Sequence, residues 1–225
     1  MKKILVVVDM QNDFIDGPLG TPEARAIVDN VCAKIREGEW DLVYSTQDSH
    51  DHDYLETQEG KKLPIKHCIT GSSGWYINDK VWWALNERDF NELFKNSFGD
   101  RYIMNDILQG VLNTKTYFNE KEIELTLVGV CTDICVISNA LLLKAHYPEM
   151  KIVVDASCCA GSTPEKHYMA LEVMKSCQVD VINNEWVEIK KDISQVVGKA
   201  FGIPEEFWTD GNEIMVKHIV GENEE

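Results

Sequence analysis

No run of apolar residues in this sequence approaches the ~20 needed to cross a bilayer. The nearest thing to a leader is Ile4–Val8 behind Lys2 and Lys3, and Asp9 cuts it off after five residues. A signal peptide needs an apolar core of about 7–15. Basic charge is scarce: 22 Lys and Arg stand against 38 Asp and Glu, a net charge of −16. A surface of that sign repels phosphate backbones and anionic membranes. No basic run with interleaved aromatics is present, so neither nucleic acid nor membrane is expected as a partner. The CxxC spacing is missing too. The seven cysteines are an odd number, in no secreted disulfide pattern, which points to a reducing, cytoplasmic setting. Repeats, low-complexity tracts and linkers are absent.

What is present is a chain of 225 residues, 44% apolar, long enough to bury a core without disulfides. Ile4–Val8 is a short continuous apolar run rich in β-branched residues, the pattern of a strand buried on both faces. Similar runs follow at 42–45, 125–130, 152–154 and 179–182. Between them lie helical patterns. Residues 23–36 place Ile27, Val28, Val31, Cys32 and Ile35 on one face, and 134–145 and 165–175 behave alike. Thr163-Pro164-Glu165 supplies an N-cap, a first-turn proline and an early acid. Strands alternating with helices predict an α/β fold with a parallel sheet. The reading is one domain over 1–225, with a C-terminal extension from about 184. In the extension, 201–208 suit a helical turn, 214–220 an edge strand, and 221–225 should fray.

In such sheets the chemistry gathers beyond the carboxyl ends of the strands. Three groups stand out there. Asp9 directly follows the first strand; it can act as a base or cap a turn. Cys135, in Gly129-Val130-Cys131-Thr132-Asp133-Ile134-Cys135-Val136, is predicted to open a helix, whose macrodipole favours its thiolate. Free backbone N–H groups at such a turn can hold an oxyanion. Cys135 can also be one of several structural thiols, or pair with Cys131, though not at a usual redox spacing. Lys95, in Phe94-Lys95-Asn96-Ser97-Phe98, is by type a surface residue, but apolar neighbours flank it.

Taken in order, Asp9 in VDMQNDF, Lys95 in KNSF and Cys135 in GVCTDICV resemble the Asp-Lys-Cys triad of isochorismatase-like, nicotinamidase-type cysteine hydrolases. The resemblance runs from Ile4 to about Asn183 and includes Asp155–His167 with Ala170 and Leu171. It implies a Rossmann-like parallel sheet of about six strands with helices on both faces. It implies an amidohydrolase in which Asp9 takes the thiol proton of Cys135, the sulfur attacks the amide carbonyl, and water releases the acid from the thioester. Lys95 would keep Asp9 ionised. The backbone N–H groups of Cys131 and Cys135 would form the oxyanion hole, beside a cis peptide at Val130–Cys131. The implied reaction is nicotinamide to nicotinate and ammonia, in pyridine-nucleotide salvage.

The resemblance also implies a divalent metal beside the triad, zinc first, with iron or manganese as alternatives. Asp48-Ser49-His50 and the later His67 match the ligand motif. Many members place a third histidine after the Asp-x-His. Here the candidates are His52, Glu56 and Glu59, and Glu59 lies at a spacing similar to members that use glutamate. The metal would orient the pyridine nitrogen. Phe14, Phe98 and Tyr102 match aromatic walls for the ring. Trp75, Trp82 and Trp83 read as packing or a subunit interface. His52, His146, His167 and His218 read as structural or surface residues, His167 as a hydrogen-bonded scaffold. The expected partners are a small amide substrate and further copies of the chain, as a homo-oligomer. The competing reading is a metal-free amidohydrolase of the same superfamily acting on an N-carbamoyl or ureido substrate. A non-enzymatic scaffold would not need all three triad groups.

Overall fold

The structure is a computed structural model that describes residues 1–100, 102–113 and 119–184. Its strands are β1 (Lys2–Val8), β2 (Leu42–Asp48), β3 (Asn91–Lys95), β4 (Ile123–Val130), β5 (Lys151–Ala160) and β6 (Asp180–Ile182). Its helices are α1 (Asn12–Ile15), α2 (Pro22–Ala26), α3 (Val28–Glu37), α4 (Gln58–Lys62), α5 (Asp79–Asn86), α6 (Ile103–Asn113), α7 (Ile137–His146) and α8 (Pro164–Ser176). The strands form one parallel sheet in the order β3-β2-β1-β4-β5-β6. That is the six-stranded, helix-covered sheet expected from the sequence.

The apolar alternation of β1 explains the two layers. Ile4, Val6 and Val8 pack with Ile103, Ile107 and Val111 of α6, Ala140 and Leu143 of α7, and Leu171 and Met174 of α8. Leu5 and Val7 pack on the other side, with Val28, Val31, Cys32 and Ile35 of α3 and Val81, Ala84 and Leu85 of α5. Each of the valine, leucine, isoleucine and methionine side chains among them stabilises the fold by about 1.5–3 kcal/mol on burial. Strand order reverses at β1, which pairs with β2 on one side and β4 on the other, so the crevice of the topological switch opens where β1 and β4 end. Gly129 makes that end possible. Its φ is +117° and a Cβ there would stand 2.1 Å from the Val8 carbonyl oxygen, a position for glycine alone.

Three elements differ from expectation. β3 was not foreseen, because an edge strand with exposed Asn91, Glu92 and Phe94 has no apolar run to betray it. The helix expected over 23–36 is two, α2 and α3, meeting at Ile27; Thr21 caps the first through a bond from Ala24 N to its Oγ1. Residues 48–91, long and only weakly periodic in the sequence, carry α4 and α5. No helix among the described residues is long and apolar enough to cross a membrane. Contacts divide the chain into Met1–Asn183 and Asn184–Glu225. The helical turn at 201–208, the edge strand at 214–220, the fraying end and His218 lie outside the described residues.

Asp155 ties the far side of the sheet together. It is almost wholly buried and accepts from Lys34 Nζ at 2.7 Å, Ser157 Oγ at 2.7 Å and Asn183 Nδ2 at 3.0 Å. Burial alone would raise its pKa, but these donors outweigh burial and hold it below the ordinary carboxylate range. A depressed native pKa contributes stability above the unfolded value, about 4, that is lost as pH falls through the native one. Asp155→Asn should therefore cost about 1–3 kcal/mol at pH 7, with the gap to wild type narrowing below about pH 4. Urea denaturation at the two pH values checks this, and a pH-independent gap would contradict it.

Candidate active site

Parallel pairing brings the ends of β1, β2 and β3 together. Asp48 stands opposite Lys95 in the β2–β3 register, and Val8 opposite Thr46 in β1–β2. Asp9, one step past β1, adopts φ +49°, an uncommon region that acids tolerate and that clusters at functional sites. The Thr46 hydroxyl donates to Asp9 Oδ1 at 2.7 Å. After β4 comes a cis peptide at Val130–Cys131, in the place the resemblance implied. The π-helical turn Thr132–Val136 then carries Cys135 into α7. The Cys131 carbonyl accepts from the Ile134 and Val136 N–H groups at 3.0 Å each. The turn is clamped from behind. Thr132 Oγ1 and His167 Nδ1 lie 2.7 Å apart, and Asp133 accepts from Ser162 N and Oγ at 2.7 Å. His167 is thus placed as scaffold, and His52 and His146 are exposed.

Lys95 is the meeting point. Its Nζ lies 2.7 Å from Asp9 Oδ2, 3.6 Å from Cys135 Sγ and 3.7 Å from Asp48 Oδ1. Asp9, Lys95 and Cys135 are all buried. Burial opposes the charge on Lys95, but Asp9, Cys135 and Asp48 outweigh it and hold the ammonium well above its usual pKa. Burial raises Asp9, with Lys95 acting the other way. Cys135 departs from the sequence expectation. Burial first, then Asp9, push its thiol well above the ordinary value, against Lys95. Burial and Asp9 thus oppose a preformed thiolate on Cys135, and a carboxylate whose pKa burial raises is the better proton acceptor.

A second group adjoins the first. One ligand atom each from Asp48, His50, Glu59 and His67 lie within 4.8 Å of one another. Local chemistry sets each in place. Thr57 Oγ1 accepts from Gly60 N at 3.0 Å and caps α4, which holds Glu59 in its first turn. His67 Nδ1 sits 2.8 Å from the Ile65 carbonyl; donation there leaves Nε2 free as a ligand. His50 N bonds the Cys68 carbonyl at 3.0 Å, and Cys68 N bonds Asp13 Oδ2 at 2.7 Å. Burial opposes charge on Asp48, yet His50, His67 and Lys95 hold it below the usual carboxylate range. The residues fit a divalent cation. His50 Nε2 is buried without a hydrogen-bond partner although Asp48 Oδ2 is 2.9 Å away, as when donors converge on one point. Two imidazoles with two carboxylates suit zinc, iron or manganese. His52 and Glu56 are exposed and outside this group.

Phe14 is buried 5.5 Å from the His67 ring. Phe98 and Tyr102 follow Lys95 on a loop and are exposed. Trp75 packs within the fold, donating Nε1–H to Ser49 Oγ at 2.8 Å, while Trp82 and Trp83 reach the surface. Sequence reasoning missed two residues. Tyr54, fully buried, packs against both imidazoles, 4.6 Å from His50 and 5.0 Å from His67. Gln11 clasps the Asp48 backbone, donating Nε2 to its carbonyl at 2.8 Å and accepting its N–H at 2.7 Å. Its place two residues after Asp9 was the available signal.

A family model described as an isochorismatase domain matches residues 3–185. The nicotinamidase/pyrazinamidase of Mycobacterium tuberculosis is 25% identical over 194 residues, covering 80% of this chain and 98% of its own. The crystal structure of a Bacillus subtilis nicotinamidase superposes with a TM-score of 0.64 at 27% identity, covering 80% of this chain and 99% of that one. A Pyrococcus horikoshii pyrazinamidase solved in complex with zinc gives 0.62 at 23% identity, covering 81% and 99%. If Glu59 is a ligand, Glu59→Ala should weaken zinc binding at least about tenfold, read by competition with a chromophoric chelator, while Glu56→Ala should not. Equal effects from the two would remove Glu59 from the site.

Proposed function

This chain belongs to the isochorismatase family and is an amide-cleaving hydrolase, and from that premise we propose that it is a metal-dependent nicotinamidase with Cys135 as nucleophile. The observation that carries the proposal is the Lys95 ammonium within 2.7 Å of Asp9 and 3.6 Å of Cys135 in one buried crevice. Asp9 takes the thiol proton as the sulfur bonds to the amide carbon. The carbonyl oxygen, now an anion, is held by the N–H groups of Cys131 and Cys135. Asp9 returns its proton to the amide nitrogen, the carbon–nitrogen bond breaks, and ammonia leaves a thioester. Asp9 then draws a proton from water, whose oxygen attacks the thioester, and passes that proton to the sulfur as the carbon–sulfur bond breaks, which frees the acid and restores the Cys135 thiol. Lys95 stays protonated throughout and keeps Asp9 turned toward the sulfur.

Asp48, His50, Glu59 and His67 would hold the metal, zinc first. When bound, it supplies a Lewis-acid seat for the pyridine nitrogen. Phe14 lies against that seat, and Phe98 and Tyr102 close over the ring from the loop after Lys95. The metal-binding chemistry of these four residues favours nicotinamide over an N-carbamoyl substrate, which needs no such seat. Seven free thiols suit a reducing cytoplasm. The exposed Trp82 and Trp83 suit contact with a second copy, which light scattering would reveal.

Wild-type protein should release ammonia from nicotinamide, and Cys135→Ala should lower the rate by about 10³-fold or more. Activity that survives Cys135→Ala overturns the mechanism. Chelation should abolish activity and zinc, iron or manganese should restore it. Metal-free protein that is fully active would favour the ureido reading.

A further inference from the structure

Asn139 lies one turn along α7 from the nucleophile and is fully buried. Both ends of its amide are engaged. Nδ2 donates to the Cys135 carbonyl at 2.9 Å, and Oδ1 accepts from Asp100 N at 2.8 Å. Asp100 is itself buried, and its Oδ1 accepts from Tyr102 N at 2.8 Å. The neighbouring Gly99 presses on the same helix; a Cβ there would stand 2.4 Å from Leu142 Cδ1 and 3.3 Å from the Ser138 side chain. The segment that leaves Lys95 and carries Phe98 and Tyr102 is thus fastened to α7 at two successive residues. One of those fastenings passes through the carbonyl of Cys135 itself.

We propose that Asn139 is a positioning residue that locks the nucleophile turn and the loop carrying Phe98 and Tyr102 into one frame, a role that rests on the amide-hydrolysis reading above. Its two bonds do separable work. The bond to the Cys135 carbonyl fixes where the sulfur stands. The bond to Asp100 N fixes where the loop stands, and with it the wall against which a flat ring lies. Misplacement of either by a fraction of an ångström is costly, since an error of about 1 Å far from the reacting atoms can cost about 10²-fold.

The side-chain chemistry of the replacements separates the two bonds. A serine on a helix donates to the carbonyl four residues earlier, so Asn139→Ser keeps the bond to Cys135 and loses the one to Asp100. Asn139→Ala loses both. Gly99→Ala crowds the loop against Leu142 and Ser138 of α7 and leaves Asn139 intact. The measurements are KM and kcat for nicotinamide per folded molecule, with the folded fraction set by circular dichroism, and the rate of Cys135 alkylation by iodoacetamide. Asn139→Ser and Gly99→Ala should raise KM about fivefold with kcat and alkylation within about twofold of wild type. Asn139→Ala should raise KM similarly, lower kcat about tenfold and change the alkylation rate at least about threefold. Identical behaviour of Asn139→Ser and Asn139→Ala, or wild-type KM and kcat in both, overturns the proposal. If Asn139→Ala does not fold, wild-type KM in both Asn139→Ser and Gly99→Ala overturns it. If the wild-type protein does not hydrolyse nicotinamide, the substrate assignment fails. The alkylation rates of Asn139→Ser against Asn139→Ala then decide the positioning role alone.

Discussion

A single buried ammonium group organises the functional half of this molecule. Lys95 Nζ touches Asp9, Cys135 and Asp48 at once. A buried cation is tolerable only when anionic partners offset its lost hydration, and removing a partner leaves an uncompensated charge. Asp9 and Asp48, at the ends of two adjacent strands, meet that requirement. The parallel register that sets Lys95 opposite Asp48 is therefore a condition of the chemistry as well as of the fold. The same ammonium joins two sites, for Asp48 belongs both to its surroundings and to the group with His50, Glu59 and His67.

The division of labour follows from the sheet. The central strand β1 is apolar on both sides and carries no chemistry until its last residue has passed. Asp9, Asp48, Lys95 and Cys135 all stand at or past the carboxyl ends of β1, β2, β3 and β4. Gly129 lets β4 pass close to β1 just before the turn that holds Cys135. Burial at this crevice disfavours charge on the thiol and on Asp9, while Lys95 favours both. Burial thus works toward the neutral thiol, and the Lys95 ammonium beside Asp9 and the sulfur works against it.

The central strands and the positions of Asp9 and Cys135 were legible in the sequence because their signals are local, whereas Lys95 stood out only through the family resemblance. Ile4–Val8 is an unbroken apolar run rich in β-branched residues, Asp9 directly follows it, and Cys135 stands in the turn after β4. β3 was not legible, since Asn91, Glu92 and Phe94 face outward and show no alternation toward a core. The break at Ile27 escaped notice because the apolar stripe runs straight through it. The state of the Cys135 thiol was misjudged from position in a helix alone. Its depth of burial and its distance from Asp9 exist only in three dimensions. The choice of Glu59 over His52 and Glu56 rested on spacing; in the structure the Thr57 cap starts a helix that brings Glu59 beside Asp48, His50 and His67 and leaves Glu56 in solvent. Asn139 gave no signal, because an asparagine inside a helix pattern does not reveal what its two ends will meet.

The pH dependence of Cys135 alkylation in wild type and Lys95→Met tests the role of the buried ammonium most directly. With Lys95 gone, the thiol loses a buried cation that favours its ionised form, so the midpoint of alkylation against pH should move upward and the rate at neutral pH should fall. A midpoint and rate unchanged from wild type in folded Lys95→Met would show that Lys95 does not act on the sulfur, and would contradict the account.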